Sequence, residues 1–370
     1  MREVSVSCNR TLRRPGWALA SLALVLTACG GGGHRTNDRQ VATNPRAHPT
    51  TTLVRVRHRA TQKWASGLPF RVGSITLDLE EPSDPLISNA RTFRDFIRRL
   101  PTVVHYPAAG PPNRQDNLGA PPARTEGTFP LVIFSQGYDM PPQAYSWLLH
   151  RWASAGFVVA APTYPFTNPG TPGGPNEADI LNHPADLRFV IGTLRKREVP
   201  VGEPIAQEIN PDEVAVIGHS DGGDVSLAVA TASCCRDRTV KAAVILSGSE
   251  NGGFGGAYYT TGSVPLLVVQ GSADTISPAG CSIDLYDQAP RPKYYLELIG
   301  AQHLQPYVDP GPDRSLVARA VLDFLARYLE GRSSGVAALA RDGNTSPVAR
   351  LITGATSPGS EAYCPAAPAP

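Results

Sequence analysis

The sequence contains no long stretch of residues with one sign of charge. Its 370 residues include 34 lysines and arginines and 32 aspartates and glutamates, a formal net charge of +2. The basic residues stand in short clusters only, whereas nucleic-acid-binding proteins concentrate them in a patch or stripe. We therefore predict no nucleic-acid partner.

Cysteine is also scarce, with six residues in the chain. No Cys-x-x-Cys pair occurs and no cysteine has an adjacent histidine, so the spacings typical of zinc sites are missing. Nothing in the sequence therefore supports a metal site.

The apolar run at residues 17–26 is too short to cross a bilayer as a helix. It follows a basic segment and ends in Leu-Thr-Ala-Cys-Gly, an order typical of an export signal, which we place at 1–28. The ending resembles the bacterial lipobox, whose cysteine becomes the lipidated N-terminus. This predicts a cell-surface protein anchored to a membrane through lipid on Cys29; a plain secretory signal, giving a secreted protein, is the alternative.

The rest of the sequence divides by composition into three parts. Residues 29–60 are rich in Gly, Thr, Asn, Arg and Pro and predict a flexible tether. One large domain follows at 61–331, and we expect it to be a monomer. The small, polar and proline-rich residues at 332–370 predict a C-terminal extension.

Export would place four cysteines in an oxidising compartment, where two disulfides are expected. They are Cys234, Cys235, Cys281 and Cys364. Since neighbouring cysteines rarely pair with each other, we expect Cys234 and Cys235 each to pair with Cys281 or Cys364.

Short, continuous apolar runs alternate with helical segments from Pro130 onward, which predicts an α/β fold. Strands that are apolar on both faces indicate a mostly parallel sheet flanked by helices. The predicted strands are 131–134, 157–161, 214–218, 241–246, 265–269 and 294–299, after earlier ones at 71–80 and 101–107. The predicted helices are 141–154, 177–197, 221–233 and 313–330.

The motif Gly-x-Ser-x-Gly occurs twice, at 218–222 and 331–335. Ser333 follows the end of a predicted helix, whereas Ser220 lies between a predicted strand and a predicted helix. That is the setting of a nucleophile elbow, a sharp turn that lifts the serine Oγ above the sheet. We therefore predict that Ser220 is a catalytic nucleophile; a glycine-rich turn that binds phosphate is the alternative.

An acid and then a base must follow the serine in such a fold. Asp274 comes directly after the predicted strand 265–269, at the edge where parallel sheets bind ligands. Asp284 and Asp287 are alternatives further along the chain. His303, the only histidine after Asp274, follows the next predicted strand and is the predicted general base.

Two backbone N–H groups are predicted to stabilise negative charge beside the serine. That of Asp221 lies at a helix N-terminus, whose dipole favours an anion. That of Tyr138 follows Gly137, a glycine that allows close approach of the backbone.

The cleft is expected to be open, because residues 247–263 leave no room for a large cap domain. The aromatic residues predicted to line it are Tyr138, Tyr164, Phe166 and Tyr258, with Tyr259 as an alternative to the last. Each of these side chains could equally belong to the core.

The segments PLVIFSQGY, NHPADLRFVI, VAVIGHSDGG, GSADTISP and AQHLQPY resemble the α/β-hydrolase superfamily over residues 65–330. The likeness is to a secreted bacterial branch similar to platelet-activating-factor acetylhydrolases, chlorophyllases and cutinase-like polyester hydrolases. It implies a serine esterase with Ser220, Asp274 and His303 as catalytic residues. The N–H groups of Tyr138 and Asp221 would form the oxyanion hole.

Two residues depart from the pattern of that superfamily. Gln136 stands where many relatives have histidine, which predicts a different support for the loop before Tyr138. Asp221 stands where many relatives have an uncharged residue or arginine, and its carboxylate is expected to disfavour anionic substrates.

The sequence thus predicts an exported serine hydrolase that cleaves carboxylic esters of lipid, acyl or polyester type through an acyl-enzyme. This chemistry requires no metal or organic cofactor. The alternatives are a catalytically silent, surface-binding lipoprotein and an acyltransferase or peptidase with the same three residues.

Overall fold

A computed structural model of the chain describes residues 70–81, 97–123, 127–199, 204–260, 262, 264–359 and 364, without the side chains of 204 and 206. The predicted export signal and tether, with Cys29, lie outside these residues. Within them, no helix combines the length and the apolar character needed to cross a membrane.

The described part of the chain contains one ten-stranded sheet. Its strands are β1 (Arg71–Glu81), β2 (Arg98–Ala108), β3 (Asp116–Leu118), β4 (Phe129–Ser135), β5 (Val158–Pro162), β6 (Ile209–His219), β7 (Val240–Leu246), β8 (Leu266–Gly271), β9 (Lys293–Leu298) and β10 (Ala349–Thr353). Their order across the sheet is β10-β9-β8-β7-β6-β4-β5-β2-β1-β3. Strands β4 to β9 pair in parallel, while β2 and β10 join them antiparallel. The predicted mostly parallel sheet is confirmed.

Helices cover both faces of this sheet. They are α1 (Ser146–Ser154), α2 (His183–Lys196), α3 (Asp221–Thr231), α4 (Ala279–Gln288), α5 (Gln305–Val308), α6 (Pro312–Tyr328) and α7 (Ser334–Gly343). Helices α2, α3 and α4 pack on one face and α1 and α6 on the other, each with its own buried apolar cluster. Because both faces are buried, every residue of β4 is buried, which explains its continuous apolar run from Phe129 to Phe134.

Part of the predicted C-terminal extension at 332–370 forms regular structure. Helix α7 packs on α6, and β10 pairs with β9 and continues the sheet. Leu339 of α7 and Leu351 of β10 are buried. The folded unit therefore continues past residue 331 to Thr353, and β10 covers the edge that β9 would otherwise expose.

The disulfide bonds correct the predicted pairing. The structure joins Cys234 to its neighbour Cys235, and Cys281 to Cys364. The first pair lies in the turn after α3, whereas Cys281 lies in α4. The segment beyond β10 runs back along α4, where the hydroxyl of Tyr286 donates to a carbonyl of that segment. Cys364 therefore reaches Cys281.

Candidate active site

A strained turn joins β6 to α3 at Ser220. Its φ of 54° and ψ of −126° lie outside the regions that most non-glycine residues adopt. A Cβ atom at Gly218 would overlap the carbonyl of Gly222, and one at Gly222 would overlap the carbonyl of Ser135 in β4. Both glycines of the motif are thus required by close backbone approach. At the second motif, Ser333 has an ordinary helical φ of −63°.

Three predicted side chains meet at the carboxyl ends of the parallel strands. The His303 ring lies between the other two: its Nε2 is 3.0 Å from Ser220 Oγ and its Nδ1 is 2.8 Å from Asp274 Oδ2. Since an ionised carboxylate can only accept, Nδ1 carries the proton and Nε2 is free to accept one from Ser220. The two alternative acids, Asp284 and Asp287, lie on α4 instead.

The carboxylate of Asp274 is held on both of its oxygens. Oδ1 accepts the backbone N–H groups of Ile276 and Ser277 at 2.9 Å each. Oδ2 accepts the side-chain amide of Gln270 at 3.0 Å in addition to His303. Burial alone would raise the pKa of Asp274, but the hydrogen bonds from His303 and from the backbone outweigh it and lower the pKa. Asp274 is therefore ionised.

The loop after β4 packs directly against the serine turn. A Cβ atom at Gly137 would lie 3.1 Å from Ser220 Cβ. In the described part of the chain, the N–H of Tyr138 donates to no backbone carbonyl, and Asp221 is the first residue of α3, where an N–H has no acceptor within the helix. Both N–H groups are thus available to an oxygen bound beside Ser220.

Gln136 holds the loop after β4 through its side-chain amide. With its amide nitrogen turned toward β5, the side chain donates to the Pro162 carbonyl at 2.8 Å and accepts from the Tyr164 N–H at 3.3 Å. The residue is buried. Gln136 therefore ties the loop to the end of β5.

His219, inside the turn, links the two sides of the site. Its Nε2 is 3.0 Å from the backbone oxygen of His303 and therefore donates, so its Nδ1 accepts from the hydroxyl of Tyr145 at 2.8 Å. That hydroxyl lies 3.5 Å from the N–H of Gly137. Burial, helped by the nearby charge of His303, lowers the pKa of His219 to about 3, so its ring is neutral. Tyr145 and Gln270 are contributors that no sequence motif indicated.

The aromatic residues predicted to line the cleft have different environments. Tyr164 is fully buried, stacks on His183 with ring centroids 3.8 Å apart and bonds to Ser135 Oγ, so its assignment to the cleft was wrong. Phe166 is half-buried beneath the guanidinium of Arg98. Tyr258 is half-buried against the core, with its hydroxyl bonded to the backbone of Asn251. Tyr138 is half-buried beside the serine turn.

The carboxylate of Asp221 has an unusual setting. Its Oδ2 is buried and has no hydrogen-bond partner among the described residues. Burial, and then the charge of Glu177, raise the pKa of Asp221 to about 6 against the opposing effect of His183 and His303. The group therefore changes charge slightly below neutral pH.

An open pocket of about 410 Å³ lies beside His303. Its lining is mixed, with apolar Ile276, Leu304 and Val308 next to polar Gln302 and Gln305. Ile276 is 73% exposed. In the described part of the chain, no three His, Cys, Asp or Glu side chains are arranged to hold a metal.

A mostly parallel sheet covered by helices, with a serine on a strained strand-to-helix turn, defines the class of α/β hydrolases. Residues 120–344 match the sequence model of the PET hydrolase-like family, and the chain belongs to that family. Membership places it among the carboxylic ester hydrolases.

Curated relatives show the same likeness at lower coverage. Cutinase 1 of Thermobifida cellulosilytica and a cutinase of Thermobifida fusca are each 28% identical over 213 residues. The match spans 56% of this chain and 71% and 62% of those two proteins. Chlorophyllase-1 of Citrus sinensis is 29% identical over 132 residues, or 36% of this chain and 37% of the chlorophyllase.

Proposed function

We propose that the protein is an exported serine hydrolase that cleaves carboxylic esters through Ser220, His303 and Asp274. The observation that carries the proposal is the continuous hydrogen-bonded path from Ser220 Oγ through both ring nitrogens of His303 to Asp274, with distances of 3.0 and 2.8 Å. A serine is a weak nucleophile by itself and needs a base in this relation to it.

In the first half of the reaction, His303 Nε2 removes the proton of Ser220 as Oγ attacks the ester carbonyl. The N–H groups of Tyr138 and Asp221 donate to the oxygen that becomes negative. Each such donor contributes about 3 kcal/mol of transition-state stabilisation. The N-terminus of α3 adds its dipole, because Asp221 is the first residue of that helix.

The protonated His303 then gives its proton to the departing alcohol, which completes the acyl-enzyme. In the second half, water attacks the acyl-enzyme with His303 again as base, and His303 returns the proton to Ser220 Oγ as the carboxylic acid leaves. Asp274 remains ionised throughout, since four donors hold its carboxylate, and it stabilises the charged ring of His303.

Lipid, acyl or polyester esters are the proposed substrates. The pocket beside His303 is open, and Ile276 presents an apolar side chain at its rim. Such a cleft accepts an ester that is part of a larger apolar surface. The names of the relatives, cutinases and PET hydrolase-like proteins, favour the polyester members of this class.

The test is hydrolysis of a chain-length series of p-nitrophenyl esters and of a polyester film by the wild type and by Ser220→Ala. We expect kcat of the variant to fall by about 10³-fold or more, because the nucleophile and its base act as one unit. Ser333→Ala, in the second copy of the motif, is the matched control and should retain wild-type turnover.

Wild-type turnover by Ser220→Ala would contradict the proposed nucleophile. A wild type that hydrolyses none of these esters would favour the surface-binding alternative. Added alcohol acceptors separate hydrolysis from acyl transfer, since an acyltransferase would release ester in place of free acid.

Export and lipid anchoring are part of the proposal and rest on the basic segment, the apolar run and the lipobox-like Cys29. Cys29→Ala should move the protein from the membrane fraction to the soluble fraction, as judged by immunoblot after fractionation. Cys8→Ala, which removes a cysteine within the predicted signal, should leave the distribution unchanged. An unchanged distribution of Cys29→Ala would refute the anchor.

A further inference from the structure

Gln270 is a polar residue in a strand that is otherwise apolar. It lies near the end of β8, whose preceding residues are Leu266–Val269 in the sequence LLVV, and its side chain is fully buried. A buried amide destabilises a fold unless both its nitrogen and its oxygen find partners. An apolar residue at this position would continue the strand pattern.

The amide nitrogen of Gln270 has three acceptors. It lies 3.0 Å from Asp274 Oδ2, 3.0 Å from the Ser277 carbonyl and 3.3 Å from the Gly271 carbonyl. This set fixes the orientation of the amide, since only N–H groups can face three acceptors. The amide oxygen, in contrast, is buried without a hydrogen-bond partner in the described part of the chain. The hydrogen bonds of the nitrogen therefore determine the position of this side chain.

That nitrogen shares one oxygen with the proposed general base. Asp274 Oδ2 accepts from Gln270 Nε2 at 3.0 Å and from His303 Nδ1 at 2.8 Å. A second donor on this oxygen draws negative charge away from the imidazole. It also restricts rotation of the carboxylate, whose other oxygen is held by the backbone of the 274–277 turn.

We propose that Gln270 is a positioning residue that orients Asp274 toward His303 and moderates how strongly the His303 ring holds a proton. The inference rests on the proposed serine hydrolase function. Loss of the amide donor would leave more negative charge on Asp274 Oδ2, which stabilises the protonated ring of His303. A higher pH would then be needed for His303 to act as a base.

The other titratable and aromatic groups around His303 are provided by residues that a substitution at position 270 does not replace. His219 and Tyr307 have ring centroids 4.7 Å apart, and the His219 ring is equally 4.7 Å from that of His303. His219 is neutral because it is buried, and the Tyr307 hydroxyl is bonded to Ser247. Asp221 acts on His303 through its charge, and Asp309 lines the same pocket. A change in the pH profile of a variant at residue 270 would therefore report on the Asp274 carboxylate.

The experiment compares the pH dependence of kcat/KM for the wild type, Gln270→Met and the control Gln288→Met, an exposed glutamine of α4. Methionine keeps the length of the side chain and removes its donor. We expect the acidic limb of Gln270→Met to shift upward by about 0.5 pH unit and kcat to fall by about tenfold, with KM nearly unchanged. Gln288→Met should match the wild type.

A second measurement covers variants with little activity. The low-field proton resonance of His303 Nδ1–H, bonded to Asp274, should titrate with the same upward shift in Gln270→Met and in Gln270→Leu. A folded Gln270→Met with an unchanged acidic limb and unchanged resonance would overturn the inference and leave Gln270 a packing residue. Retained turnover in Ser220→Ala would refute the proposed function itself, whatever Gln270→Met does.

Discussion

Asp274 and Asp116 each bond a histidine Nδ1 at nearly the same distance, 2.8 Å to His303 and 2.7 Å to His150. Asp116 also lies 3.0 Å from Nδ1 of His105. The two clusters differ in the second ring nitrogen. That of His303 faces Ser220, whereas that of His150 is buried without a hydrogen-bond partner in the described part of the chain. A histidine–aspartate pair is thus a candidate base only where its far nitrogen meets a nucleophile.

The two carboxylates also have different anchors. Asp274 is held mostly by its own turn and by Gln270, which leaves His303 as its single imidazole partner. Asp116, in β3, joins His105 of β2 to His150 of α1, so it connects three elements of the fold. These contacts attach β3, at the edge of the sheet, to β2 and α1.

Replacing each aspartate by asparagine separates the two roles and gives the largest expected effect. Asp274→Asn should lower kcat by about 10⁴-fold, because the amide no longer selects the correct tautomer of His303 or stabilises its charge. Its melting temperature should change much less than its activity. Ester turnover and differential scanning calorimetry measure the two quantities, and near-normal turnover of Asp274→Asn would remove the distinction between the clusters.

Asp116→Asn is the matched variant. We expect its kcat to be unchanged and its unfolding free energy to fall by about 1 kcal/mol at neutral pH. This value allows for the partial exposure of Asp116. Burial alone would raise the pKa of Asp116, but the bonds from His105 and His150 lower it. A carboxyl group whose pKa is lower in the folded state stabilises the protein at pH values above its unfolded-state pKa, near 4. This stabilisation is lost as the pH falls below that value. Denaturant unfolding should therefore show the gap to wild type shrinking as the pH falls, and a constant gap would argue against this linkage.

A third carboxylate, that of Asp221, differs from Asp274 and Asp116 because we expect it to affect only the preference for substrate charge. The expected effect is smaller. Near pH 8 it is charged beside the proposed oxyanion donors, so Asp221→Asn should raise kcat/KM for an anionic ester about threefold relative to a neutral ester. Because the pKa of Asp221 is about 6, this change in the ratio should disappear near pH 5. Competition between the two esters measures the ratio of their kcat/KM values. If this ratio were the same in the wild type and in Asp221→Asn at pH 8, the carboxylate would not select against charged substrates.

The central sheet and the order of the candidate site were predictable because their causes are local. Strands buried on both faces are mostly apolar, and Gly218 reflects a contact within the serine turn, with the carbonyl of Gly222. His303 followed from chain order alone, since no other histidine comes after Asp274.

The remainder depends on contacts between distant segments. Strand β10 is five residues long and is stabilised by pairing with β9, and α4 carries the polar residues Ser282, Asp284 and Asp287 among its apolar ones. The role of Gln270 emerges only when the 274–277 turn folds back over it. The burial of Tyr164 likewise depends on His183, which the chain brings against it.

The position of β10 has a practical consequence for expression of the protein. The N–H of Ile299, at the end of β9, donates to the Val348 carbonyl just before β10. A gene cut after residue 331, where the composition changes, would still encode all three residues of the proposed triad. Its product, however, would expose the full edge of β9 to pairing with another chain. We therefore expect that β10, by pairing with β9, protects the protein from aggregation through this edge.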